Sequence, residues 1–208
     1  MTSALEKVLA HPDVRRLSHS LADHPAARID APEPVRRASV AVILRLGHHE
    51  ALELLLIKRA EFAGDPWSGH VALPGGRRED ADISPTATAV RETLEETAID
   101  LTRDGSLIGA LDELQPRSAI LPPITIAPFV FVTKSDVQMV LSDEVADAFW
   151  VPLASLTDPQ SVREIEMELL SGAQRVRSFG YGTHEIWGLT ERILSRLLHV
   201  LDGGAIAN

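Results

Sequence analysis

The chain contains no cysteine in its 208 residues, which excludes disulfides, thiolate metal sites and a cysteine nucleophile. It also lacks a long apolar run. The opening stretch MTSALEKVLAHPDVRRL has no continuous hydrophobic core, and no later segment approaches the length of a membrane span. A cytoplasmic location without a membrane partner is therefore the expectation. Basic charge is scarce too: 20 Lys and Arg stand against 30 Asp and Glu, a net charge of −10. That balance disfavours polymeric nucleic acid held on a general basic surface. A small anionic substrate is still admissible if local arginines or a metal ion reverse the field. There is no internal repeat and no low-complexity tract.

What is present fits one domain with a small appendage. Ser3 to Glu6 reads as a capping box ahead of Leu5, Val8 and Leu9 at helical spacing, and the stretch HPAARIDAPEP reads as a linker. The expected division is an N-terminal helical segment and linker over 1–35 and the main domain over 36–208. ASVAVILRLG (38–47) and HHEALELLLIKR read as a hairpin of buried strands. An ordered loop with a short strand at VAL follows, from 63 to 76. Further strands are expected at SLIGALDEL, ITIAPFVFV and AFWVPL, and as a glycine-punctuated pair around RVRSFGYGTHEIWG. LTERILSRLLHVL closes the chain as an amphipathic helix through Leu189, Ile193, Leu197 and Leu201. Strands mixed with a few helices predict an α/β sandwich around a mixed β-sheet.

Residues 91–99, RETLEETAI, are the most informative stretch. Ser84 reads as the N-cap and Pro85 as the first residue of a helix whose apolar stripe is expected at Ala87, Val90 and Leu94. On the opposite side Glu92, Glu95 and Glu96 share one face, at spacings where like charges repel by roughly 0.2–0.5 kcal/mol per pair. Two of them lie near the negative end of the helix dipole. No lysine balances them, so compensation from outside the helix is expected. A divalent metal such as Mg²⁺, which takes oxygen ligands, would supply it. The competing reading is a solvated acidic face, the usual fate of glutamate-rich helices. The missing lysines and the upstream turn Pro74-Gly75-Gly76, where a backbone can approach an ion or phosphate closely, favour the metal.

The pattern of Gly76, Asp82, Arg91-Glu92 and Glu95-Glu96 resembles the Nudix box, the loop-helix motif of Nudix hydrolases, which cleave nucleoside diphosphates linked to another moiety. It departs from that motif in three ways: Asp82 replaces a glutamate, one extra residue precedes Arg91, and Ala98 replaces a glycine. None removes a metal ligand. The resemblance implies a Nudix-like α/β/α sandwich, and Glu92, Glu95 and Glu96 as carboxylate ligands of Mg²⁺ or Mn²⁺ with the Gly76 carbonyl beside them. Arg91 would orient a box carboxylate, although a purely structural salt bridge is the alternative. Glu79, Asp80 and Asp82 read either as turn formers or, for Asp82, as support behind the ligands. Hydrolysis would be substitution by water at phosphorus without a covalent enzyme intermediate. Glu144, in SDEVADAFW, is the candidate general base, against the alternative of a surface acid, and Asp143 is the fallback.

The segment LLIKRAEFAGDPWSGHVALPGG resembles the coenzyme A pyrophosphatase branch of that family through Leu55, Leu56, Arg59, Gly69 and Pro74-Gly75-Gly76. Asp65 falls near the place of that motif's downstream arginine, and Leu73 takes the place of its phenylalanine. PPITIAPFVFV and IWGLTERIL also look like this branch, with Trp187 and Leu189 read as packing. The substrate implied is a small nucleotide, coenzyme A or a derivative, with Arg59, Arg77 and Arg78 as substrate-binding cations. Hydrolysis of ADP-ribose, nucleoside diphosphate sugars or nucleoside triphosphates stays open, as does a non-catalytic nucleotide-binding module. The oligomeric state is also open, a homodimer included.

Overall fold

The computed structural model describes residues 3–30, 35–63, 67–116, 123–169 and 172–203. Asp65 lies outside them. Strand β1 (Arg36–Leu46) is the spine of the main sheet. It pairs antiparallel with β2 (Leu52–Arg59) through Leu44↔Leu54, as the hairpin pattern predicts. On its other side it runs parallel to β6 (Ile124–Thr133), from Arg36↔Ile124 to Leu44↔Val132. The short β3 (Val71–Ala72) flanks β2, and β5 (Gly105–Ala110) flanks β6, giving the order β3-β2-β1-β6-β5. Two further strands attach to this mixed sheet: β4 (Gly75–Arg77) on the first half of β1, and β7 (Val145–Pro152) along β2. Strands β8 (Val162–Leu169), β9 (Gly172–Tyr181) and β10 (His184–Trp187) form a separate antiparallel sheet.

Helices cover both faces of the main sheet, so the α/β/α sandwich is the observed architecture. The alternation of side chains along β1 decides which residue meets which layer. Val42 and Leu44 face a core shared with Val8 of α1 (Ala4–Ala10), with Val14, Leu17 and Leu21 of α2 (Pro12–Asp23), and with Ile193 and Leu197 of α6 (Gly188–Leu201). Ala41 and Ile43 face the opposite layer, where Ala89 of α3 (Pro85–Thr97) and Ile99 pack with Leu55 and Phe131. The remaining helices, α4 (Leu101–Asp104) and α5 (Leu153–Thr157), are short connectors. The Ser3–Glu6 capping box is formed. The N-terminal segment makes two helices rather than one piece, because Pro12 restarts the helix at its first position. Trp187 contacts the His70 ring at 4.6 Å, and Thr190 donates to the Val71 carbonyl, so the IWGLT segment does pack against β3.

Helix α3 starts where expected, with Ser84 Oγ accepting the Ala87 N–H at 3.1 Å. Its buried face is the expected one only in part, at Val90, which packs on the core with Ala89. Leu94 is 46 % exposed, and the residues turned inward are Thr88, Ala89, Thr93, Glu96 and Thr97. Threonines serve there because their hydroxyls find partners locally: Thr93 donates to Ala89 O at 2.7 Å and Thr97 to Thr93 O at 2.6 Å. What they then present to the sheet is a small methyl group, which with Ala89 lets the helix lie close on β1.

Helix α3 ends on Ala98 in the left-handed region (φ 58°), with its N–H bonded to Leu94 O at 2.9 Å. Only glycine takes this conformation without a Cβ penalty of roughly 1–2 kcal/mol, partly offset by the greater freedom of glycine in the unfolded chain. Ala98→Gly is therefore expected to stabilise the protein by about 0.5–1 kcal/mol. Urea denaturation checks this, and an unchanged or lower midpoint contradicts it.

Candidate active site

Strand β4 and helix α3 meet through glycine. A Cβ on Gly76 would stand 2.5 Å from the Glu92 carboxyl, and one on Gly75 (φ 150°) would stand 2.4 Å from the Ser39 carbonyl oxygen. Gly75 therefore requires the bare backbone, whereas at Gly76 a side chain would displace the Glu92 carboxyl. The Gly75 N–H donates to Glu96 Oε2 at 2.9 Å. Two of the three helical carboxylates are thus pressed against one short strand.

The loop between β4 and α3 is fastened by Asp82. Arg91 donates to it twice, Nε to Oδ1 at 3.0 Å and Nη2 to Oδ2 at 3.1 Å. Thr88 Oγ1 and the Glu79 N–H donate as well, at 3.0 and 2.9 Å. Asp82 is the loop acid that does structural work; its bonds from Arg91, opposed by burial, hold its carboxyl well below the ordinary carboxylate range. The same guanidinium reaches Glu95 (2.9 Å), Glu92 (3.0 Å) and the Arg77 carbonyl (3.0 Å). Part of the charge compensation expected from outside the helix therefore comes from inside it, through the Arg91–Glu95 pair one turn apart. Arg91 orients two box carboxylates at once.

Glu144 and Arg59 reach the same place from distant parts of the chain. The 140–142 segment caps the open end of α3: Val140 N–H donates to Thr97 O at 3.0 Å and Ser142 N–H to Glu96 O at 3.1 Å. Ala60 N–H then donates to Glu144 O at 2.8 Å, and Arg59 pairs with Val145 in the β2–β7 register. Burial pushes the Glu96 carboxyl up to about 7; the Gly75 N–H opposes this, the charges of Glu92 and Glu144 add to it, and that of Arg59 counters it. Burial also raises Glu92, against the pull of Arg91 and with the repulsion of Glu95 and Glu144. It is the Glu144 charge that acts on both. Glu95 is more exposed, at 57 % of its side chain. Arg77 and Arg78 are exposed on and after β4, and Arg78 Nη2 donates to the Asp82 carbonyl at 3.2 Å.

This donor set fits a hard divalent cation. The carboxylates of Glu92, Glu95, Glu96 and Glu144 lie near enough to act on one another, and Glu92 and Glu96 resist ionisation because they are buried and negative charge is crowded around them. The cage is not closed: among the described residues no three acidic or histidine side chains surround one point. Arg91 draws Glu92 and Glu95 toward itself, and the Gly75 N–H holds Glu96.

The NUDIX domain model matches residues 35–171, which contain every residue named in this cluster. A search of curated sequences finds an uncharacterized protein of Schizosaccharomyces pombe, 36 % identical over 68 % of this chain and 49 % of its own length. It also finds the Arabidopsis thaliana protein named Nudix hydrolase 15, mitochondrial, 30 % identical over 79 % of this chain and 58 % of its own. The chain thus spans only about half to three-fifths of the length of these two relatives. Among solved structures, a MutT/nudix family protein from Enterococcus faecalis superposes with a TM-score of 0.56 at 17 % identity, covering 84 % of this chain and 65 % of the other, a likeness of fold.

Two expectations follow from the site. Asp82→Ala leaves Arg91 without its main partner and exposes the loop, so a loss of about 2–4 kcal/mol is expected. Asp80→Ala, at an exposed position, should stay within about 0.5 kcal/mol of the parent. Similar denaturation midpoints for the two variants would contradict the anchoring role. The second expectation concerns pH. Because the folded state raises Glu96 to about 7 from an ordinary value of 4.5, it keeps a proton that the unfolded chain releases. That contribution is complete below about 4.5 and lost as pH rises through about 7. In chelator, the melting temperature should fall between about pH 5 and pH 8, and Glu96→Gln should flatten the fall. A parent curve that rises over this window contradicts the assignment.

Proposed function

The chain belongs to the Nudix family, and from that premise we propose that it is a metal-dependent pyrophosphohydrolase acting on coenzyme A or its derivatives. The observation that carries the reading is the crowding of the buried Glu96 by the charges of Glu92 and Glu144, from two distant segments, with Glu92 and Glu96 set against the Gly75-Gly76 backbone. A carboxylate cluster of that density has little structural use and a direct chemical one. Glu92, Glu95, Glu96 and the Gly76 carbonyl are the groups that would hold Mg²⁺ or Mn²⁺, which would supply positive charge for the diphosphate and make water in the site more acidic.

The chain's own residues account for the rest. Glu144 is exposed on a loop anchored by its backbone, so its carboxylate is free to take the proton of the attacking water. The water oxygen bonds to phosphorus, the bridging P–O bond breaks, and the electron pair leaves with the departing phosphate. Each product ends as a phosphomonoester; for coenzyme A these are 3′,5′-ADP and 4′-phosphopantetheine. Arg91 keeps Glu92 and Glu95 oriented from behind. Arg59, at the end of β2, adds a positive charge beside Glu96. The coenzyme A assignment is supported by the LL-x-x-R element through Arg59 and by Pro74-Gly75-Gly76.

Glu95→Gln and Glu96→Gln are each expected to lower kcat by orders of magnitude with the fold retained. Glu144→Gln should lower kcat by about 10²-fold or more with little change in KM, and flatten the acidic limb of the pH–rate profile. Product chromatography from coenzyme A, dephospho-coenzyme A, ADP-ribose and a sugar nucleotide tests the substrate. Cleavage of ADP-ribose or the sugar nucleotide alone would overturn coenzyme A as substrate and keep the hydrolase. Binding of nucleotides without turnover of any would overturn both in favour of a sensor.

A further inference from the structure

At the Arg77 end of β4 lies an open groove of about 520 Å³, lined by residues 35–37 of β1 and its approach and by Arg77, Arg78, Glu79 and Asp80. Four arginines against two acids make it locally cationic in a protein whose net charge is −10. The sheet builds it. Arg36 and Arg37 open β1, and the antiparallel pairing Ala38↔Arg77 brings them beside the end of β4. The Arg78 N–H donates to Arg37 O at 2.9 Å, which closes the two segments together. Asp82, the buried acid nearest to them, is already saturated by Arg91, Thr88 and the Glu79 N–H, so it does not neutralise the groove. Among the described residues, neither the Arg36 nor the Arg77 side chain forms an ion pair. The groove also adjoins the carboxylate cluster: Gly76 touches Glu92, Arg77 is the next residue, and the Arg77 carbonyl accepts from Arg91.

We propose that this groove binds a phosphomonoester group of the nucleotide substrate, separate from the diphosphate that is cleaved, with Arg36 and Arg37 as ligands alongside Arg77 and Arg78. Planar guanidinium forks match phosphate oxygens in pairs, and converging arginines from two strands suit a dianion better than a ribose hydroxyl. The inference rests on the hydrolase reading above and deepens it. A substrate carrying a second phosphate beyond its diphosphate is held at two points, the metal-binding carboxylates at one end of β4 and the arginines at the other. Arg36 and Arg37 thus supply a phosphate contact independent of position 65.

The test is calorimetric binding of 3′,5′-ADP and of 5′-AMP in chelator, with the parent, Arg36→Gln/Arg37→Gln, and Arg175→Gln as a remote arginine control. The parent should bind 3′,5′-ADP at least about tenfold more tightly than 5′-AMP, as one or two charge-assisted bonds imply. The double variant should shrink that ratio to about twofold or less, and Arg175→Gln should keep it. Should the double variant fail to fold, Arg36→Gln alone is expected to lower the ratio partway. Equal binding of the two nucleotides by the parent, or an undiminished ratio in a folded variant, overturns the groove assignment. Hydrolysis is scored separately: in the double variant kcat/KM should fall more for coenzyme A than for dephospho-coenzyme A. If the parent cleaves neither compound, the proposed substrate fails while the binding comparison still decides the groove.

Discussion

The Asp82–Arg91 pair is the constraint on which the site depends. Asp82 is almost wholly buried and holds four hydrogen bonds, so the loop from β4 to α3 has one position relative to the helix. Arg91 then distributes its donors to two site carboxylates and to the Arg77 carbonyl. A lysine could supply the charge but not the fork, because several acceptors in different directions require the planar guanidinium. The pair acts less as a net source of stability than as a fixture, since a buried ion pair recovers little beyond its own desolvation. What it fixes is the spacing between a glycine strand and a row of glutamates.

That fixture tolerates a strained electrostatic neighbourhood. Glu96 is 4 % exposed, close to Glu92 and Glu144, and a single backbone N–H is its direct hydrogen-bond donor. An isolated arrangement of this kind would disperse. Here the helix cannot retreat, because its threonine face lies flat on β1 and its C-terminal carbonyls are occupied by the 140–142 segment. The packing around the site is regular where the site is not, the distribution expected when local rules are broken for chemistry.

This division explains what could be read from the sequence. Caps, the β1–β2 hairpin, the start of α3 and the terminal helix follow from local pattern. The three box glutamates share one helix, so their spacing alone places them together. The stripe Ala87, Val90 and Leu94 holds at Val90 but fails at Leu94, because threonine does not count as apolar, although Thr93 and Thr97 bury their methyls once their hydroxyls bond one turn back. Asp82 among Glu79 and Asp80 looks like any turn acid; only the folded loop separates it. β4 is three residues, two of them glycine, and has no strand signature. The approach of Arg59 and Glu144 to Glu96 depends on the β2–β7 register across more than eighty residues, which no local window contains. The Arg91–Glu95 pair, by contrast, is legible from the spacing i, i+4 alone.

β4 also explains how an acidic protein can offer a polyanion a defined seat. Three residues of strand separate a region where carboxylates crowd from one where arginines do, so the field changes sign over a very short distance. In bulk the net charge of −10 repels a nucleotide, but screening confines that repulsion to about 8–10 Å at physiological salt. Within that range the local pattern dominates. A divalent cation at the carboxylate end would offset much of the negative charge there, beside the Gly75-Gly76 backbone. Glycine there admits the Glu92 carboxyl at position 76 and the close approach of the Ser39 carbonyl and Val40 at position 75. A side chain at Gly76 would displace the Glu92 carboxyl, so glycine at this position preserves the close approach of the strand to the acidic face of the helix.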